Sequence, residues 1–128
     1  MNYYFAKTLH CGFDEAVERV TTALKEAGFG IITEIDVKET FKKKLGIDFR
    51  NYRILGACNP AVAREALEIE DKAGTMLPCN VVVQELGDDA IEIAAVDPVA
   101  SMAAIENEVL RGPAQKVRDM LIGVIDRL

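Results

Sequence analysis

Two Cys-Asn pairs carry most of the chemical interest of this chain: Cys58-Asn59, followed by Pro60, and Cys79-Asn80, preceded by Pro78. A cysteine is a nucleophile or a metal ligand only as the thiolate, and a helix N-terminus close by stabilises that anion. Asn59-Pro60 reads as such a terminus, with asparagine as the N-cap and proline as the first helical residue. Burial in apolar surroundings would act in the opposite sense. Three uses therefore compete for the pair. The thiols are small buried hydrophobes while the asparagines fix a helix start and a strand entry; or Cys58 is a low-pKa thiol that Cys79 resolves; or the two cysteines begin a weak metal site. The redox reading lacks C-x-x-C spacing. The metal reading is short of donors, because zinc usually takes four nitrogen or sulfur ligands and the chain has three cysteines and one histidine. Cys11 and His10 would have to join the pair across the fold.

Other chemistry has less support. Ser101 is the sole serine, and no nucleophile-elbow motif surrounds it for a triad with His10. Neither G-x-G-x-x-G nor a Walker A pattern occurs. Asp97-Pro98 reads as a helix cap before it reads as a carboxylate aimed at a pocket. Lys42-Lys43-Lys44 reads as a solvated helix face, with a small anion site as the alternative. Met76, Met102 and Met120 read as core filler.

The elements that must position these groups follow from hydrophobic spacing. Tyr3 to Leu9 is a strand. Phe13, Ala16, Val17, Val20, Leu24 and Ala27 make one helical stripe, ended by Gly28. A second strand starts near Gly30, with Ile31, Thr33, Ile35 and Val37 expected on one face. Glu39 to Leu45 reads as a short helix. Tyr52 to Cys58 is a third strand, and a helix from Pro60 to about Glu70 turns Ala63, Ala66 and Leu67 inward. Cys79 to Leu86 and Ala90 to Val96 form a hairpin around Gly87-Asp88-Asp89. An interrupted helical region follows Pro98. Gly112-Pro113 restarts it as a last helix, with Val117, Met120, Leu121, Val124 and Leu128 on one stripe.

This order predicts an α+β protein: an antiparallel sheet with helices packed on one face. It also gives the cysteines a geometry. If the third and fourth strands are antiparallel neighbours, Cys58 and Cys79 lie at the same end of the sheet, where directly opposed residues stand about 4.5–5.5 Å apart. Parallel strands would separate them by a strand length, roughly 20 Å.

Composition sets the outer bounds. The 128 residues suit one domain, 1–128, able to bury a core without disulfide staples. A formal charge of −6 disfavours nucleic acid and anionic membranes as partners. There is no tryptophan, and aromatics make up 6%, so a base-stacking surface is poorly supplied. An odd, low cysteine count, no basic leader and no long apolar run predict a cytoplasmic protein with free thiols.

Three segments carry a resemblance. Gly28-Phe29-Gly30-Ile31-Ile32-Thr33-Glu34-Ile35-Asp36, Tyr52-Arg53-Ile54-Leu55-Gly56-Ala57-Cys58-Asn59-Pro60 and Leu77-Pro78-Cys79-Asn80-Val81-Val82-Val83 resemble, in order and spacing, stretches of the domain-of-unknown-function 302 family. The likeness spans nearly the whole chain. It implies a small bacterial or archaeal domain of β-α-β(4)-α order, topologically like half of the TATA-binding protein, that pairs as a homodimer. The short helix and the helix after Pro60 would then be insertions between sheet strands. It implies no activity, and fold alone does not supply one. The reading that joins these observations is a non-enzymatic module for a small ligand, an anion or a partner, with no cofactor. Its site would be Cys58, Asn59, Pro60, Cys79 and Asn80. The thiol redox protein and the weak metal site stand as alternatives.

Overall fold

The computed structural model describes residues 2–128. Five strands form one antiparallel sheet: β1 (Tyr4–Leu9), β2 (Gly30–Asp36), β3 (Tyr52–Cys58), β4 (Cys79–Gly87) and β5 (Ala90–Val96). Their spatial order is β1-β5-β4-β3-β2. The long helices are α1 (Phe13–Glu26), after β1, and α5 (Arg111–Asp126), at the end. Shorter helices α2 (Val37–Leu45), α3 (Pro60–Ile69) and α4 (Pro98–Ser101) are inserted between them. This is the expected α+β architecture in β-α-β(4)-α order.

Strand alternation decides which face is buried. Val81 and Val83 of β4, Ile91, Ile93 and Ala95 of β5, and Leu55 and Ala57 of β3 all turn inward. They are in register, Leu55 opposite Val81 and Val83 opposite Ile93, so one face is continuously apolar. Phe13, Ala16, Val20 and Leu24 of α1 and Val117, Leu121, Val124 and Ile125 of α5 complete that core. Each set recurs at three- and four-residue spacing, which places it on one helical stripe. The other face of the sheet has no such cover: Tyr4, Ala6, Thr8, Ile35 and Asn80 are exposed.

Three details differ from the spacing argument. In β2 the pairing shifts between Ile31 and Thr33, so Ile31 opposes Ala57 on the core face while Thr33 and Ile35 oppose Gly56 and Ile54 on the open face. One extra residue in a strand reverses every later side chain, so Ile31 does not share a face with Thr33 and Ile35. Val37 leaves the strand and begins α2, because Asp36 caps that helix by accepting from the Glu39 N–H at 3.0 Å. In α3, Val62 and Ala66 are the buried residues and Leu67 is exposed. The cap at Asn59 sets the phase of that helix, and positions 62 and 66, one turn apart, are the ones it aims at the sheet. Gly112-Pro113 lies inside the first turn of α5, where proline's missing N–H has no helical partner to lose.

Candidate functional site

The start of β4, the end of β3 and the start of α3 meet at one end of the sheet. Asn59 joins two of them. Its Oδ1 accepts from the Val62 N–H at 3.2 Å and its carbonyl accepts from the Ala63 N–H at 2.9 Å. The asparagine therefore ends β3 and caps α3 in one residue, the role its type and the following proline predict. The Asn59 amide also lies against Gly28, where a Cβ would stand 3.3 Å from Nδ2. Gly28 has φ +93°, a conformation open to glycine, and it ends α1 directly above this junction.

The antiparallel pairing of β3 and β4 puts both cysteines at that end, but one residue out of step. Cys79 faces Ala57, not Cys58. Adjacent strand positions point to opposite faces, so the thiols are neighbours without being a directly opposed pair. All three cysteines are free. Cys79 is buried and Cys58 half-buried. Burial pushes the Cys79 thiol up to about 11, and the neighbouring Cys58 acts in the same direction. A thiol held protonated that far above neutrality is a poor resolving nucleophile.

Cys58, Asn59 and Cys79 border a narrow slot between the sheet end and helices α3 and α5, with a cavity of about 40 Å³. Apart from Cys58 and Cys79, Asn59 is the only polar residue that lines it. Phe29, Ala66, Met102, Leu110, Ala114 and Val117 are among its apolar lining residues. Small residues create the space: alanines at 57, 66 and 114 stand where longer side chains would close it. Pro60 occupies the first position of α3 and is exposed. Asn80 lies on the open face of the sheet, opposite Gly56, away from the slot. Of the five residues proposed from sequence, three therefore gather at the slot and two do not. The residues that sequence reasoning missed are Phe29, Ala66, Met102, Leu110 and Val117. Their apolar character was visible, but nothing local distinguishes a slot wall from core.

His10 and Cys11 follow β1 at the other end of the sheet. Leu9 pairs with Ile91, and Ile91 with Glu85, six residues along β4 from Cys79. At about 3.3 Å per residue they stand roughly 20 Å from the cysteine pair. Among the described residues, no three His, Cys, Asp or Glu side chains are grouped to hold a metal ion. Asp97, the single buried charged residue among those described, is a structural cap. Its Oδ1 accepts from the Val99 N–H at 2.9 Å, and its Oδ2 meets Arg118 Nε at 3.4 Å. Lys42 and Lys43 are taken up by Asp48 and Glu39 at the surface, as a solvated face would be. Among the described residues no helix is long and apolar enough to cross a membrane.

Fold and site together define a small α+β domain built on a five-stranded antiparallel sheet, with one apolar slot at the sheet end. The family model described as "Domain of unknown function DUF302" matches residues 5–128, and the chain belongs to that family. It is similar to a solved structure, an uncharacterized conserved DUF302 protein from Bacillus stearothermophilus. The TM-score is 0.90 and the identity 27%, over 99% of this chain and 98% of that one. No curated protein matches the chain.

Proposed function

We propose that this protein is a non-enzymatic binding module that acts as a homodimer and takes a small apolar ligand in the slot beside Cys58, Asn59 and Cys79. The observation that carries this reading is the slot's lining: almost wholly apolar, fixed by secondary structure on three sides, and with a thiol that burial keeps neutral. Such a surface excludes water and rewards apolar contact, but it offers no general base and no oriented charge. Apolar cavities can take up xenon. In solution under xenon, the amides of Cys58, Asn59, Ala66 and Cys79 should shift together while those of His10 and Cys11 stay still. Ala66→Leu, or Ala114→Val if the first does not fold, should remove those shifts with the fold retained. Shifts that persist in a folded slot-filling variant would sink the reading.

The homodimer has its own support in the uncovered sheet face. Tyr3, Tyr4, Tyr52, Val82, Ala94 and Val96 line a shallow hollow there of about 340 Å³, with Asn80, Gln84 and Glu92 as its polar members. Tyr3 is 67% exposed, and apolar surface gathered on one flat face marks an interaction surface. Ala94 pairs with Val82 at the centre of this face. Ala94→Glu would place a charge against its own copy in a face-to-face dimer. Sedimentation equilibrium should show the dimer dissociation constant raised at least tenfold, with the thermal midpoint of the monomer fold little changed. A wild-type chain that stays monomeric at hundreds of micromolar defeats this part of the proposal.

A further inference from the structure

The slot shares part of its lining with a second space. Met102, Leu110 and Ala114 line both the slot and a hollow of about 430 Å³. Val99 and Ile105 add apolar lining to that hollow, and Glu106, Asn107, Glu108 and Arg111 give it a polar part. Two of these three shared residues, Met102 and Leu110, belong to the segment 102–110 between α4 and α5. This segment has little regular structure of its own, a single 3-10 turn at Glu108–Leu110.

How the segment is held matters. The N–H groups of Met102, Ala103, Ile105, Asn107 and Leu110 all donate to carbonyls between Pro98 and Asn107. The Val109 N–H donates to Asn107 Oδ1, again within the segment. None of these bonds reaches the sheet, α1 or α3. The chain is pinned before the segment, where the Asp97 N–H donates to the Tyr3 carbonyl at 2.7 Å and the Asp97 carboxylate meets Arg118. It is pinned after the segment by α5. Between those points, the buried side chains of Met102 and Leu110 are what seat it. A stretch secured by a few apolar contacts and only local hydrogen bonds opens at low free energy, and methionine is the side chain that most readily changes shape in a core.

We infer that the slot and the second hollow are two compartments of one site for a linear aliphatic chain, with Met102 as the movable partition. The inference rests on the binding role proposed above and names the ligand class for it. The apolar end of the chain would lie beside Ala66 and Cys79, and its polar end would reach water near Glu106 and Arg111. A compact ligand would fill the slot alone and leave the partition in place. A straight chain is narrow enough for the slot and long enough to use both hollows.

The test is a titration with the straight-chain alcohols from 1-propanol to 1-octanol, followed by amide shifts. Each methylene that enters apolar surroundings should tighten binding about fourfold. That gain should continue through the whole series. The Val99 and Ile105 amides should shift only with the longer members, and hydrogen exchange at 102–110 should slow when octanol is bound. Met102→Ala should tighten octanol by about tenfold and leave propanol nearly unchanged; Met102→Val serves if the alanine variant does not fold. A gain that stops at the short alcohols, with Val99 and Ile105 unmoved, overturns the inference and leaves the small-ligand role standing. So does a slot that takes xenon but no alcohol. A slot that takes neither overturns both.

Discussion

Gly56→Ala should destabilise the protein by about 2–3 kcal/mol and close the slot. Gly56 lies in the middle of the sheet, where a Cβ would stand 1.9 Å from Thr33 Oγ1 and 2.7 Å from the Pro78 ring. A Cβ essentially never makes a non-bonded contact at either distance. Thr33 is exposed on an outer strand and can turn its hydroxyl aside. Pro78 has no such freedom: its ring is rigid and it directly precedes Cys79, so it can retreat only by shifting the entry of β4. Overpacking of this kind typically costs about 1–3 kcal/mol. Pro78 and Cys79 both line the slot, so the same shift should abolish xenon uptake. Urea unfolding of Gly56→Ala and of the double variant Gly56→Ala/Thr33→Ala separates the two clashes. The double variant should recover only a small part of the loss. Full recovery would mean that Thr33 alone reads the position, and that the Pro78 contact does not govern the slot.

Stability should fall by about 2–3 kcal/mol as the pH rises from about 9 to above 11, and Cys79 should be the cause. Its thiol titrates near 9 when unfolded and is pushed up to about 11 by burial in the fold. Between those values the unfolded chain releases a proton that the folded chain retains, so ionisation favours unfolding. The stabilisation is fully present below about pH 9 and is lost as the pH passes through 11. Two pKa units correspond to about 2.7 kcal/mol. Urea unfolding at a series of alkaline pH values should show this slope in the wild type and a shallower one in Cys79→Ala. Iodoacetamide at pH 8 should modify Cys79 in the folded protein far more slowly than in urea. Rapid modification of Cys79 in the folded state would revive the redox alternative, which needs it as an accessible resolving thiol.

The sequence was most readable where a residue's type fixes its local backbone. Asn59-Pro60 announced a helix start, Gly28 a helix stop, and Gly87-Asp88-Asp89 a hairpin. Each is a short-range effect of hydrogen bonding or allowed torsion, and each occurs where the sequence put it. The stripes of α1 and α5 were readable for a related reason, since their spacing repeats over several turns. Alternation in β2 was misleading because one extra residue reverses the faces, and nothing local marks Ile32 as that residue. Leu67 was misassigned because two phases of α3 look equally apolar until the sheet selects one.

The amino-acid order by itself determined the α+β class, the strand polarity that brings Cys58 and Cys79 to one end of the sheet, and the cap that Asn59 supplies. These depend on neighbours within a few residues or on a repeating pattern. Tertiary structure decided that Cys79 faces Ala57, that Asn80 turns to the open face, and that Phe29, Ala66, Met102 and Val117 enclose a space. Register between strands, and the gap left where short side chains meet, depend on residues far apart in the chain. A cavity is a property of all its walls at once, so no single segment could carry its signature.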